Sequence, residues 1–191
     1  LEYSYEAQQT GLYSLMQIVH WMMNRWEKRS TSVWQIKAEK YCWFMTPYLI
    51  ITDEMAHALT LAAKRGVDVR IITPGIPDKK LVYNVTRSFY HELVKDGVRI
   101  YEWTPGFCHA KMSVADDCMA TCGTINLDYR SLYHHFENGC FMADCDAVLD
   151  IRNDLHETMK ECREVTEKYR TGRSAYLRLG QLFMRLFAGL L

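Results

Sequence analysis

Lysine plus arginine and aspartate plus glutamate number 23 each in a chain of 191 residues, so no overall basic field argues for nucleic acid as a partner. Hydrophobic residues at 49% and charged residues at 24% exclude a disordered chain and fit one α/β domain with a substantial core, or half of a larger enzyme. Seven cysteines, an odd number set mostly in strand-like stretches, point to a reduced compartment rather than a disulfide framework.

Residues 1–40 are the least legible part of the chain. LYSLMQIVHWMMNRW has helical apolar spacing, and a polar stretch, EKRSTS, follows it. The apolar run Leu12–Met23, interrupted by Gln17 and His20, is too short and too polar for a spanning helix. It also lacks the charged start and small-residue exit of a signal peptide, so no transmembrane segment is expected in this chain.

From residue 41 the pattern sharpens. YCWFMTPYLII reads as a buried strand and its exit at Pro47. TDEMAHALTLAAKRG opens with Thr52 as an N-cap, places Met55, Ala58, Leu59 and Ala62 at helix spacing, and ends at Gly66. VDVRIITPG is the next strand, PDKKLVYNVTRSFYHELVKDG a helix closed by Gly97, and VRIYEW a strand again. This alternation predicts an α/β fold with a mixed, mostly parallel sheet flanked by helices. HAKMSVAD and CMATCGT follow as an antiparallel pair turned at Asp116 and Asp117, NGCFMAD is the last strand, and residues 146–170 form a long charged helix.

The tail from residue 173 onward places Tyr176, Leu179, Phe183, Leu186, Phe187 and Leu190 on one helical face, with Arg173, Arg178 and Arg185 among the other positions. Such a basic amphipathic helix fits an anionic lipid surface, or packs on the sheet or on a partner. The expected organisation is a poorly matched segment 1–40, a domain 41–172, and the C-terminal helix 173–191. No internal repeat of 20 to 50 residues is visible.

The chemistry concentrates between residues 106 and 137. In an extended segment His109 and Lys111 share a face, with Ala110 turned away. An imidazole beside an ammonium suits a phosphate, because the lysine supplies charge and the histidine attacks or donates a proton. The backbone of Gly123 and Thr124 and the Asn126 amide supply neutral donors for phosphoryl oxygens, and Glu137 supplies a carboxylate able to hold the His109 ring. Taken singly these residues have structural readings: an H-x-K pair arises by chance, Asp116 makes a turn, and Asn126 caps a helix. Cys118 and Cys122, with His134 or His135, are potential zinc ligands, but without a C-x-x-C pair they read better as buried thiols.

The joint pattern is far more specific: H-x-K, four residues, Asp116, six residues, then G-T-x-N. HAKMSVADDCMATCGTINLDYRS resembles the H-x-K-x4-D motif of the phospholipase D superfamily. MTPYLIITDEM, LAAKRGVDVRIITPGIPDKK, GVRIYEWTPGFCHAK and GTINLDYRSLY are similar to the C-terminal half of bacterial cardiolipin synthases, over about residues 40–170.

The resemblance implies phosphatidyl transfer without metal or other cofactor, through a phosphohistidine intermediate, making cardiolipin and glycerol from two phosphatidylglycerols. It assigns His109 as nucleophile or general acid/base, and Lys111, Thr124 and Asn126 to the phosphoryl oxygens. Glu137 orients the ring, and Asp116 completes the motif as a structural ion-pair partner more than as a reacting group. The implied partners are phosphatidylglycerol and anionic membrane lipid, on the cytoplasmic side of the cell membrane. His20, His57, His91, His134, His135 and His156 are not followed two residues later by lysine, so the chain carries one motif where the synthases carry two. That leaves pairing with a second H-x-K half or with another copy. The alternatives are a phospholipase D-like phosphodiesterase or nuclease acting as a single-motif homodimer, or a catalytically silent half-domain.

Overall fold

The computed structural model describes residues 37–129, 131 and 137–171, together with the backbone of 12–18. Among these residues lie ten strands: β1 (Leu12–Ile18), β2 (Tyr41–Met45), β3 (Leu49–Ile50), β4 (Asp68–Pro74), β5 (Arg99–Trp103), β6 (Met112–Ala115), β7 (Met119–Gly123), β8 (Leu127–Asp128), β9 (Glu137–Ala143) and β10 (Cys162–Glu164). The helices are α1 (Asp53–Lys64), α2 (Lys80–Lys95), α3 (Asp146–Lys160) and α4 (Thr166–Thr171). Eight strands form one sheet in the order β1-β9-β7-β6-β2-β4-β5-β10, and β3 pairs with β8 in a separate two-stranded ribbon.

The sheet is mixed and flanked by helices, as expected, but it is not mostly parallel. Only β2-β4 and β4-β5 run parallel within it, and the other pairings are antiparallel. The strand–helix–strand units spanning β2 to β5 need crossovers and so come out parallel, whereas β6 and β7 are joined by the short turn at residues 116–118 and so pair antiparallel. Alternation along the strands feeds a core on each face. Cys42, Phe44 and Ile71 pack with α1, α2 and Tyr169 of α4. Trp43, Met45 and Ile72 pack with Val148, Leu155 and Met159 of α3.

Three expectations are corrected. Leu12–Ile18 is not helical: it is an edge strand paired antiparallel with β9 from Leu12↔Ala143 to Ile18↔Glu137, a tertiary pairing that overrides the helical spacing. The helix begun at 146 stops at Lys160 instead of running to 170, because Cys162–Glu164 pairs with the exposed edge of β5 before α4 begins. Among the described residues the Asp116 carboxylate meets backbone amides in place of the anticipated ion-pair partner: its Oδ2 accepts from the Glu39 amide at 2.7 Å, and its Oδ1 from the Lys40 and Tyr41 amides at 2.9 Å each. The C-terminal helix expected at 173–191 lies outside the described residues.

The Asp116 anchor fixes where the sheet starts. Asp116 and Asp117 turn β6 into β7 with φ of 52° and 61°, left-handed values that aspartate tolerates better than most residues. The carboxylate then ties this turn to the chain entering β2, 75 to 77 positions earlier. Burial works against its charge, but the three amides outweigh it and hold the carboxyl below its ordinary range. Asp116→Asn keeps the turn propensity and removes the charge, and is expected to destabilise the fold by about 1–3 kcal/mol in urea unfolding at neutral pH. A carboxyl held low when folded stabilises above its ordinary pKa, so the gap from wild type should close as the pH falls below about 4.

Candidate active site

The C-terminal ends of β2, β4 and β5, the entry to β6 and the end of β7 share one edge of the sheet, because Met45 pairs with Met112 and Met112 with Cys122. The crevice beyond the carboxyl ends of parallel strands is where open α/β sheets place their ligands. His109 and Lys111 lie there. They belong to an extended segment that precedes β6, rather than to the strand itself. The expected alternation nonetheless holds, since Cys108, Ala110 and Met112 pack on the α3 side of the sheet and so turn His109 and Lys111 away from it.

The Lys111 ammonium folds back onto the histidine, 2.9 Å from His109 Nδ1 and donating to the His109 carbonyl at 2.7 Å. An ammonium has no acceptor, so Nδ1 accepts and the neutral ring carries its proton on Nε2. Phe107 lies over the ring at 5.7 Å between centroids, and Tyr48 meets it edge-on at 6.2 Å. Tyr48 is itself fixed by a 2.5 Å hydrogen bond from its hydroxyl to Asp78. Partial loss of water under these rings lowers the His109 pKa, the Lys111 charge lowers it further, and Asp78 opposes both. Although its outer surface is exposed, His109 is therefore a neutral imidazole at neutral pH.

Behind Lys111 stand two buried carboxylates, Glu137 and Asp128, at 8% and 7% exposure. Glu137 Oε1 accepts from the Ser131 hydroxyl at 2.9 Å, and Oε2 accepts from the Thr124 hydroxyl. Asp128 accepts from the Ser131 amide at 2.7 Å. Burial lowers the Lys111 pKa, and the charges of Glu137 and Asp128 counter that effect. Burial raises the Asp128 pKa, with Glu137 adding to the rise.

The residues named from sequence divide accordingly. His109, Lys111, Glu137, Thr124 and Asn126 are brought to one end of the sheet, while Asp116 sits at the far end of β6, holding the amides of residues 39–41. The Gly123 and Thr124 amides are not donors in waiting: Gly123 N–H goes to the Lys111 carbonyl at 3.2 Å and Thr124 N–H to the Asn138 carbonyl at 2.8 Å, because both complete the ladders of β7. Asn126 Nδ2 donates to Ser131 Oγ at 3.0 Å, and its side chain also hydrogen-bonds the Asp128 carboxylate, so the amide is already engaged in the floor of the site. His134 and His135 lie outside the described residues. Among the described residues, no group of three or more His, Cys, Asp or Glu side chains is placed to hold a metal ion.

Sequence reasoning passed over Asp128, Ser131, Tyr48, Phe107 and the Asp78–Lys79 pair. Asp128 and Ser131 carried a signal, an acid followed three residues later by serine at the start of a turn. The rest reach the site only through tertiary packing.

A model of the cardiolipin synthase phospholipase D-like domain matches residues 35–159. The chain belongs to this family. It is 50% identical over 155 residues to an uncharacterized protein of Streptococcus mutans, covering 81% of this chain and 34% of that protein. It is 35% identical over 170 residues to cardiolipin synthase 2 of Bacillus cereus, covering 88% of this chain and 33% of that enzyme. The chain thus spans about a third of the length of the curated relatives it matches. The crystal structure of Nuc from Salmonella typhimurium, a phospholipase D family member, superimposes with a TM-score of 0.66 at 14% identity, covering 81% of this chain and 98% of that one. At that identity the likeness is one of fold.

Within this family domain, Gly123 of the G-T-x-N segment has a clear physical reason. A Cβ there would lie 2.3 Å from the Asn138 carbonyl oxygen and 2.5 Å from Gly139 Cα, so β7 and β9 could not close at the site. Gly123→Ala is expected to cost roughly 2 kcal/mol or more in urea unfolding, an overpacking penalty against backbone that cannot give way. Lys111→Met should raise the His109 pKa toward or above the ordinary 6.5, readable as the midpoint of the ring-proton shifts in an NMR titration; an unchanged midpoint would show that Lys111 does not face the ring.

Proposed function

We propose that this domain supplies half of a phosphatidyl-transfer site, joining two phosphatidylglycerols into cardiolipin with release of glycerol. The observation that carries the reading is the Lys111 ammonium beside the neutral His109 ring, within a domain of the cardiolipin synthase family. A phosphodiester needs in-line positioning and charge neutralisation more than it needs a metal, and a lysine–amide cradle provides both.

One histidine attacks phosphorus and the bond to the glycerol oxygen breaks. The other histidine gives that oxygen its proton. The glycerol hydroxyl of a second phosphatidylglycerol then attacks the phosphohistidine and returns a proton to the second histidine, so that only cardiolipin and glycerol leave. His109 takes one of these roles, and a second H-x-K half supplies the other. Phosphoryl oxygens, being charged acceptors, draw Lys111 away from Nδ1 and compete with Asp128 and Ser131 for the Asn126 amide. Released from Lys111, the ring moves its proton to Nδ1, where Glu137 orients it, and Nε2 is left free to attack. Thr124 keeps Glu137 in place through its hydroxyl, and Asp116 acts through the fold alone. Association with a membrane surface follows from the lipid substrate, and the cytoplasmic side is the one the resemblance implies; no helix among the described residues is long and apolar enough to cross a bilayer.

A second reading has its own support. The chain covers nearly all of Nuc, whose fold is completed within a single chain of this size. On that reading two copies of this domain face each other, with His109 and Lys111 from each, as a phosphodiesterase.

The deciding experiment follows cardiolipin and glycerol from labelled phosphatidylglycerol, with oligomeric state measured on the same sample, for wild type, His109→Ala and Asp116→Asn. His109→Ala should lower turnover at least about a thousandfold, whereas Asp116→Asn should follow its loss of folded protein. Turnover that survives His109→Ala would remove the histidine from the chemistry. Hydrolysis of a soluble phosphodiester by a dimer, without cardiolipin, would favour the second reading.

A further inference from the structure

Five large hydrophobic side chains are conspicuously exposed among the described residues, and three of them frame the site: Ile76 at 50%, Leu81 at 56% and Phe107 at 41%. They sit on two segments that leave the sheet side by side. The first follows β4 and the second follows β5, where the Gly75 amide donates to the Trp103 carbonyl at 2.7 Å. A Cβ on Gly75 would lie 2.6 Å from that oxygen, so the two exits are held in contact by backbone. The Tyr83 hydroxyl, donating to the Gly75 carbonyl at 2.9 Å, pins the first segment from the other side. The rim is therefore anchored at its base while its apolar side chains point outward.

Charge accompanies the apolar residues. Asp78, Lys79 and Lys80 are exposed between Ile76 and Leu81, and the Asp78 carboxylate is already engaged by the Tyr48 hydroxyl and the Lys79 amide. Lys79 and Lys80 thus leave the rim with a surplus of positive charge, and Lys79 stands close enough to His109 to act on its ionisation. Isolated exposed leucines need no explanation. Apolar side chains interleaved with lysine on adjoining loops, at the mouth of a phosphate-directed site, match an anionic bilayer surface in both hydrophobicity and sign.

We propose that residues 75–81 together with Phe107 form a docking rim that inserts into a phosphatidylglycerol-rich bilayer, bringing lipid headgroups level with His109. The choice of lipid rests on the proposed function; the rim itself rests on exposure and charge.

The test is sedimentation of the full chain with sucrose-loaded vesicles of phosphatidylglycerol or of phosphatidylcholine, for wild type, Ile76→Ser/Leu81→Ser and Lys79→Gln/Lys80→Gln. The serine variant should lose about tenfold or more in partitioning onto phosphatidylglycerol, and the glutamine variant should lose its preference over phosphatidylcholine and its sensitivity to salt. Both sites are exposed, so urea unfolding should remain at the wild-type midpoint. Ile76→Trp supplies an independent readout, a blue-shifted emission on phosphatidylglycerol vesicles. Unchanged partitioning of the serine variant, an unshifted Ile76→Trp spectrum, or a change of oligomeric state in place of a change in vesicle binding would each overturn the rim. Loss of vesicle binding in a chain without phosphatidyl transfer would leave the rim standing and remove the proposed function instead.

Discussion

Glu137 and Asp128 are almost wholly withdrawn from water at the same end of the sheet, and burial together with the neighbouring Glu137 charge makes Asp128 resist ionisation. Everything around them answers that constraint. Ser131 serves both, its hydroxyl to Glu137 and its amide to Asp128, and the Thr124 hydroxyl takes the remaining Glu137 oxygen. Lys111 brings the cation, and the same lysine reaches His109 Nδ1. Negative charge in the floor, one ammonium above it and a neutral imidazole at the surface form a graded column. On the proposed reading, a phosphodiester arriving from solvent meets the lysine directly above that buried negative charge.

The backbone makes that column possible by bringing together segments far apart in sequence. Glu137 opens β9, Thr124 follows β7, and Asp128 ends β8, which pairs with β3 through Ile50↔Asp128. Thr46 ties these together, donating to the Tyr48 carbonyl at 2.8 Å and accepting from the Leu127 amide at 3.2 Å. Gly123 is the tightest point, where any side chain would force β7 away from β9 and carry Thr124 off Glu137. At the opposite end Asp116 fastens the same hairpin to the start of β2. The motif aspartate thus acts on the histidine by setting the register of β6 and not by touching it.

Much of this was legible in the chain. Apolar strand runs, Thr52 as N-cap and Gly66 and Gly97 as helix stops define the β2–β5 units, and Thr52 accepts from the Met55 amide as that reading requires. The H-x-K alternation places His109 and Lys111 together even though the segment forms no ladder. What escaped was non-local. Leu12–Ile18 has helical spacing and becomes a strand only because the edge of β9 is available to it. The stop at Lys160 depends on a free edge of β5, and Tyr48 and Asp78 meet across 30 positions through loop packing. The Gly123 and Thr124 amides looked available as donors because a residue list does not show which ladder consumes them.

On the proposed reading, the single histidine sets a chemical limit that the fold cannot lift. An imidazole whose Nε2 has bonded to phosphorus keeps its one proton on Nδ1, turned away from the departing alcohol, and the phosphohistidine needs a separate base to activate the next one. Lys111 is a poor substitute, since its work on phosphoryl oxygens requires it to stay charged. Asp128 is buried beneath it, and Glu137 is reserved for Nδ1 of the same ring. The second proton carrier must come from outside this column, across the exposed face of His109 that Tyr48 and Phe107 leave uncovered. On that reading the floor of described residues holds one histidine and one phosphate, and the other histidine completes the site from the solvent side.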